Sequence, residues 1–413
     1  MIRNKLNTIE LFAGCGGLVD GFEKTRKYKT LSCVEWNDKP HEVLKKRLKN
    51  KYGYVDTDKT VLRFDIQRTD ELINGWKDDL EYGTNLGLKE IIGQKEVDLI
   101  VGGPPCQAYS MAGRVQDENG MHDDYRNYLF ESYIKVVKVF KPKIIVFENV
   151  EGILSAKPGG INIIEKITEE FLKAGYIITN NIRKDALLDM SEFGVSQRRK
   201  RVILIGLNKE VFGDNCYEIL DEFYNKRLHK FKSSKVNTVK DAIGDLPKLM
   251  PREKEEKIGK KKYSHFPEVT EYKDHYPRYH NKRDIDIFRE LALDIESGRN
   301  NYKSIEALKK LYTEKTGKES NIHKYNVLRW DEPSNTIPAH LKKDGLRHIH
   351  PDSQQARTIT VREAARLQSF DDDFEFSGSM SSDYEMIGNA VPPEFSRRLA
   401  EALYEVFKEH GLI

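Results

Sequence analysis

The segment Gly102-Gly103-Pro104-Pro105-Cys106-Gln107-Ala108-Tyr109-Ser110 sets one cysteine directly behind an apolar run, Val97 to Val101, that reads as a buried strand. A thiol in that position can serve as a nucleophile once it ionises. Pro105 holds its own φ at about −65° and restricts Pro104, so the backbone leading into Cys106 is stiff before any substrate arrives. Taken alone, the segment also fits a small buried cysteine at a strand end. Two further groups fall at the ends of strand-like runs. Glu148-Asn149-Val150 closes the run Lys143 to Phe147, and a carboxyl desolvated there is raised in pKa and can hold a proton near neutral pH. Gln197-Arg198-Arg199-Lys200-Arg201 brings cations to the start of another strand, either as a surface patch or as electrophilic stabilisation.

A second constellation points to a bound small molecule. Leu11-Phe12-Ala13-Gly14-Cys15-Gly16-Gly17 follows the first strand-like run, and its glycines permit a tight turn and close approach of a ligand to the backbone. Its spacing is not that of a dinucleotide fingerprint. Glu35 ends the second run and is suited to accept from ribose hydroxyls, while Trp36 beside it can cover an adenine. Asp65-Ile66 can complete such a pocket. An exposed acid and a packing tryptophan are the plainer alternatives for Glu35 and Trp36.

These residues need a scaffold that brings strand ends together. Short β-branched runs recur at Thr8 to Ala13, Leu31 to Trp36, Val97 to Val101, Lys143 to Phe147 and Arg201 to Leu207. Helical spacing fills the gaps: Phe130 to Val139 stops before Pro142, and Ile161 to Ala174 stops at Gly175, a C-cap signal. Alternation of this kind predicts an α/β fold with a doubly wound, mostly parallel sheet whose ligands sit at the carboxyl ends of the strands. From Asn208 to about Asp352 strand signals thin out and lysines crowd into 254–262, followed by the aromatic and histidine-rich stretch Tyr263 to His280. That lysine run reads as a solvated loop or, beside a domain that works on nucleic acid, as a phosphate-contacting face. Asp284 to Leu293 and Ile305 to Tyr312 read as amphipathic helices, and helical character returns at Val361 to Gln368, Tyr384 to Asn389 and Glu394 to Lys408.

Bulk properties set limits. A chain of 413 residues is long enough for more than one domain. Although 33% of residues are charged, the net charge is only +3, so contact with a polyanion must come from local clustering. Cys15, Cys33, Cys106 and Cys216 lack paired or zinc-type spacing, which argues for a reducing compartment and against a structural metal. Met1 to Asn7 is polar and no apolar run approaches the roughly twenty residues of a membrane span, so a cytoplasmic protein is expected.

In order along the chain, FAGCGG, Glu35-Trp36, Asp65, GPPCQAYS, ENV, QRRKR, TVREAARLQSF and Gly388-Asn389-Ala390-Val391-Pro392 resemble the cytosine-5 DNA methyltransferases over nearly the full length apart from the insertion. Tyr109 stands where phenylalanine is common, and Lys200 interrupts the arginines. The resemblance implies a Rossmann-like S-adenosyl-L-methionine-dependent body, 1–207 plus 384–413. It also implies a smaller target-recognition domain at 208–352 and a connecting hinge at 353–383. It implies that Cys106 attacks carbon 6 of a flipped cytosine while Glu148 serves ring nitrogen 3, and that Arg201, with Arg199 behind it, reaches the oxygen at position 2. The methyl donor is expected on Phe12, Ala13, Gly14, Gly16, Gly17, Glu35, Trp36, Asp65, Ile66, Pro104, Leu129, Asn389 and Ala390. Duplex DNA is expected on Gln107, Ser110, Arg114, Gln197, Arg198, Lys260, Lys261 and Lys262, with Gln107 to Tyr125 as the loop that closes on the base. The resemblance also implies a bacterial or archaeal, nucleoid-associated monomer acting in a restriction-modification system beside an endonuclease for the same site. Readings kept open are an RNA cytosine-5 methyltransferase, a non-enzymatic DNA-binding relative, and an oxidoreductase, which would leave Cys106, Glu148 and Arg201 without a joint role.

Overall fold

The computed structural model describes residues 5–105, 129–157, 160, 162–267, 270–319 and 325–413. It divides into two compact units, the first formed by 1–194, 199–234 and 390–413, the second by 195–198 and 235–389.

The first unit is built on strands β1 (Leu6–Leu11), β2 (Tyr28–Glu35) and β3 (Val61–Arg63), a side ribbon of β4 (Trp76–Asp79) and β5 (Gly83–Asn85), then β6 (Leu99–Gly102), β7 (Ile144–Val150), β8 (Tyr176–Ile177), β9 (Leu187–Asp189) and β10 (Lys200–Asn208). The sheet runs β3-β2-β1-β6-β7-β10-β8, with β9 paired to β10. Every residue of β1 is buried, the signature of a strand covered by helices on both faces. The five apolar runs expected as strands all lie in this sheet, and β3, β2, β1, β6 and β7 run parallel to one another. One direction differs from a simple parallel reading: β10 is antiparallel to β7, with Ile203 opposite Glu148. Chain order reverses at β1, which has β2 on one side and β6 on the other. A crevice forms at such a switch point, outside the carboxyl ends of the strands.

Residues 208–234 belong to this unit rather than to an insertion beginning at Asn208. The reason is a stitch to β10. The buried Tyr224 hydroxyl donates to the Ile203 carbonyl at 2.8 Å and accepts the Ile205 N–H at 2.9 Å, and Arg227 pairs with Glu409 of the last helix, Pro393–Glu409.

The second unit carries the helices Lys282–Glu296, Ile305–Thr316, Val361–Leu367 and Met380–Asn389, so the stretch read as a hinge, 353–383, is part of its body. Phe288, Leu291, Tyr325, Ile349 and Ala356 form its apolar core. Beside them, Arg357 donates twice to the buried Glu363, both bonds 2.7 Å, and Glu363 also closes a capping box with Thr360. The lysine-rich run forms neither open loop nor helix. It folds as a two-stranded ribbon of β11 (Met250–Ile258) and β12 (Lys261–Phe266).

Candidate active site

Three strand ends of the first unit converge on Glu148. Near the end of β7 its side chain is 14% exposed, and its Oε1 meets the Arg201 Nε at 3.1 Å across the β7–β10 pair. Burial raises the Glu148 carboxyl above the ordinary glutamate range, while Arg201 and then Arg199 pull it back. Gly103, just past β6, is where this carboxylate rests. A Cβ added there would stand 2.5 Å from Oε2 of Glu148, so no larger residue fits without displacing the acid. Asn149 then ties the two strand ends together, donating from Nδ2 to the Pro104 carbonyl at 3.2 Å. Tyr133, on the helix Leu129–Phe140, has its hydroxyl within reach of the Ile100 and Val146 carbonyls and braces β6 against β7 from behind. Arg199 is buried, and its guanidinium donates to the Ala390 carbonyl at 3.0 Å. Cys106 follows this anchored backbone by one residue and lies outside the described residues, as do Gln107, Ser110 and Arg114.

The glycine-rich turn lies at the neighbouring strand ends. Phe12 adopts φ 58°, a conformation costly for an aromatic residue, and Gly14 and Gly16 follow at 56° and 93°. A side chain at Gly16 would also collide with Leu44, its Cβ 2.5 Å from Cδ1. Glu35 holds the turn: Oε2 accepts the Gly14 N–H at 2.8 Å and Oε1 the Asn37 N–H at 2.7 Å. Burial raises its carboxyl, and the N–H donors of Asn37 and Gly14 oppose that rise. Two oxygens with these partners still have lone pairs for a hydroxyl. Trp36 is half-exposed beside it. Asp65 uses Oδ1 to accept the Gln67 N–H at 3.0 Å, and Ile66 is buried.

A family model for C-5 cytosine-specific DNA methylases matches residues 6–405. The chain belongs to that family. Among known relatives of this methylase, the type II methyltransferase M.Bpa9945I of Bacillus paralicheniformis is 38% identical over 330 residues, covering 76% of this chain and 72% of its own. M1.HphI of Haemophilus parahaemolyticus, also a type II methyltransferase, is 29% identical over 401 residues, covering 97% and 87%. In three dimensions, a prophage-encoded DNA modification methyltransferase from E. coli aligns with TM-score 0.60 at 22% identity over 98% of this chain and all of the other. S. pombe Dnmt2 aligns with TM-score 0.54 at 14% identity over 98% and 99%, which speaks to the fold alone. The protein is a DNA (cytosine-5) methyltransferase, and enzymes of this class draw on S-adenosyl-L-methionine generally.

The remaining expected positions of the methylase are spread over both units. Leu129 is buried at the start of its helix, and Gly17 opens the helix Gly17–Lys24 just after Ala13 and Gly16. Ala390 lies in the first unit but Asn389 in the second. In the second unit Gln197 is fully buried: its side-chain amide donates to Gln368 and its carbonyl oxygen accepts the Ile337 N–H at 2.9 Å. Arg198 is exposed and pairs with Glu332 at 2.9 Å. On the β11–β12 ribbon Lys262 pairs with Glu255 at 2.8 Å, whereas Lys260 lies in the turn and Lys261 just after it, both exposed and without an ion pair among the described residues. Sequence reasoning passed over Asn37, Gly103's contact with the acid, Tyr133 and Tyr82. The signal for Tyr82 was the aromatic density of Phe64, Trp76 and Tyr82 between two strands. No helix among the described residues is long and apolar enough to cross a membrane.

Proposed function

We propose that this enzyme methylates carbon 5 of a specific cytosine, swung out of duplex DNA, through a covalent adduct with Cys106. The observation that supports this reading most strongly is the partly shielded Glu148–Arg201 pair, resting on Gly103 three residues before Cys106. Carbon 5 of cytosine is a weak nucleophile. Addition of the Cys106 thiolate forms a sulfur–carbon 6 bond and pushes the ring's electron pair toward nitrogen 3 and the oxygen at position 2. Glu148, raised by burial, gives its proton or a hydrogen bond to nitrogen 3, and Arg201 faces the oxygen. Arg199, held on the Ala390 carbonyl, supports the arrangement from behind.

The turn with positive φ at Phe12, Gly14 and Gly16, the carboxylate of Glu35 and the half-exposed Trp36 fit the methyl donor. Ala13, Gly17, Asp65, Ile66, Pro104 and Leu129 are its further proposed neighbours. When bound, S-adenosyl-L-methionine supplies the electrophilic methyl group that the activated carbon 5 accepts. Loss of the carbon 5 proton, with water as the base, and expulsion of the Cys106 thiolate then restore the aromatic ring.

The second unit is the proposed target reader. Lys260 and Lys261, with Lys262 and Arg198 in a lesser part, contact phosphates and fix register. The type II relatives support a modification role paired with an endonuclease, and a monomer suffices for the chemistry. The test is methylation of plasmid DNA followed by base-resolution mapping. Wild type should mark one sequence with 5-methylcytosine, Cys106→Ser should mark none, and Glu148→Gln should be slowed about 100-fold or more. Normal turnover by either variant contradicts the assigned roles.

A further inference from the structure

Residues 76–85 form a ribbon that stands apart from the main sheet, β4 pairing only with β5 among the described residues. Its aromatic residues face the first unit's ligand-side loops. Trp76 stacks on Phe64 at 3.9 Å between centroids, and Phe64 immediately precedes Asp65. Tyr82 meets Phe64 edge-on at 5.0 Å, and the guanidiniums of Arg63 and Arg68 lie 5.4 and 5.8 Å from its ring centroid. Its backbone is fixed as well: the N–H donates to Asp79 Oδ1 at 2.9 Å and the carbonyl accepts from Trp76 Nε1 at 3.2 Å. Arg68 in turn holds Asp79 at 2.6 Å. So constrained, the Tyr82 hydroxyl receives the indole N–H of Trp36 at 3.1 Å.

An indole 49% exposed has no packing need for a dedicated acceptor, because water would satisfy its N–H equally well. What the bond provides is orientation. The Phe64 N–H also donates to the Glu35 carbonyl at 3.2 Å, so the loops after β2 and β3 are joined directly and then capped by the same ribbon.

We propose that the β4–β5 ribbon is a clamp on the adenosine end of the methyl-donor site and that Tyr82 is its positioning residue, locking the Trp36 ring in the pose that covers the adenine. This inference rests on the proposed role of Trp36. Fixing an aromatic wall before binding removes an ordering cost that the ligand would otherwise bear. Tyr82→Phe keeps the ring, its stacking and its cation contacts and deletes only the hydroxyl, which accepts from Trp36 and also faces the Glu81 carboxylate. Loss of one neutral hydrogen bond predicts about two- to tenfold weaker binding of S-adenosylhomocysteine by calorimetry. The KM for the methyl donor should rise by the same factor, with kcat at saturation within about twofold of wild type and DNA affinity unchanged. A readout free of ligand accompanies these. With 5-fluorotryptophan incorporated, the fluorine resonance of Trp36 should shift and broaden in unliganded Tyr82→Phe, while that of Trp330 stays in place. Tyr82→Leu, which also removes the ring, should weaken binding further.

Tyr82→Phe with wild-type affinity overturns the clamp whether or not the Trp36 resonance moves, provided Trp36→Ala still binds poorly. If Trp36→Ala binds S-adenosylhomocysteine as tightly as wild type, the adenine-covering role itself is wrong and the clamp falls with it.

Discussion

Glu148 lies where one missing Cβ decides its position. Because an alanine at 103 would put carbon 2.5 Å from Oε2, Gly103→Ala must push the acid away from its place beside Arg201. A displacement of about 1 Å at a proton-transfer group can cost about 100-fold in rate. Gly103→Ala should therefore lose kcat on that order while binding S-adenosylhomocysteine normally. Wild-type kcat in that variant would show that the close approach is irrelevant. The same residue sets the sign of a pH effect. Burial raises the Glu148 pKa, so the carboxyl keeps its proton to higher pH than an ordinary glutamate and gives it up as pH rises further. The rate should fall on the alkaline side through loss of the acid form, and Glu148→Gln, which cannot ionise, should lack that limb. An alkaline limb unchanged in Glu148→Gln would assign it to another group. The glutamate itself could be read from sequence as a strand-end carboxyl. Its contact with Gly103 and the occupied oxygens of Glu35 could not, since both depend on which strands become neighbours.

At the scale of elements, the antiparallel β7–β10 pair makes the site by setting Arg201 two residues before Ile203, the residue opposite Glu148, on the same face of β10. Tyr224 holds that pair's outer strand. Its buried hydroxyl serves both Ile203 and Ile205, so Tyr224→Phe should cost about 1–3 kcal/mol in denaturant unfolding, and no loss would detach 208–234 from the body. The buried strands were legible because a sheet covered on both faces demands unbroken β-branched runs. Strand direction was not, because β10 reads the same whichever way it runs. The β11–β12 ribbon escaped for another reason: it interleaves Lys and Glu, with Lys262 paired to Glu255 across the strands, which in sequence looks like solvated loop. That pairing also narrows the phosphate-contacting candidates. Lys260→Ala with Lys261→Ala should reduce the salt slope of DNA binding by about two and leave site preference intact, since each phosphate contact contributes about one unit. An unchanged slope would remove this ribbon from the DNA contact.

Across the whole molecule, the second unit carries a cost at low pH. His265, His275, His280, His348 and His350 are all buried in it. Burial lowers all of them, to about 4 for His265 and His348 and about 3 for His280 and His350. Unfolded histidines titrate at about 6.5. Between that value and about 4 the unfolded chain binds protons that the folded unit refuses, so stability is present above the window and lost as pH falls through it. The melting temperature should decline steadily from pH 6.5 to 4, and a flat profile would contradict the buried, neutral state of these rings. The division into two units was only partly legible. Motif order divides the chain at 208 and 384, whereas 208–234 and 353–389 join their units through tertiary bonds that no local pattern announces.

The central claim is a transient bond between Cys106 and a cytosine ring, and trapping tests it most directly. A duplex carrying 5-fluorocytosine at the mapped target, incubated with enzyme and S-adenosyl-L-methionine, should give a complex that survives denaturing electrophoresis, because fluorine cannot leave as the proton does. Cys106→Ser should give none. A preparation that methylates the unmodified site yet leaves the fluorinated duplex free would contradict the account.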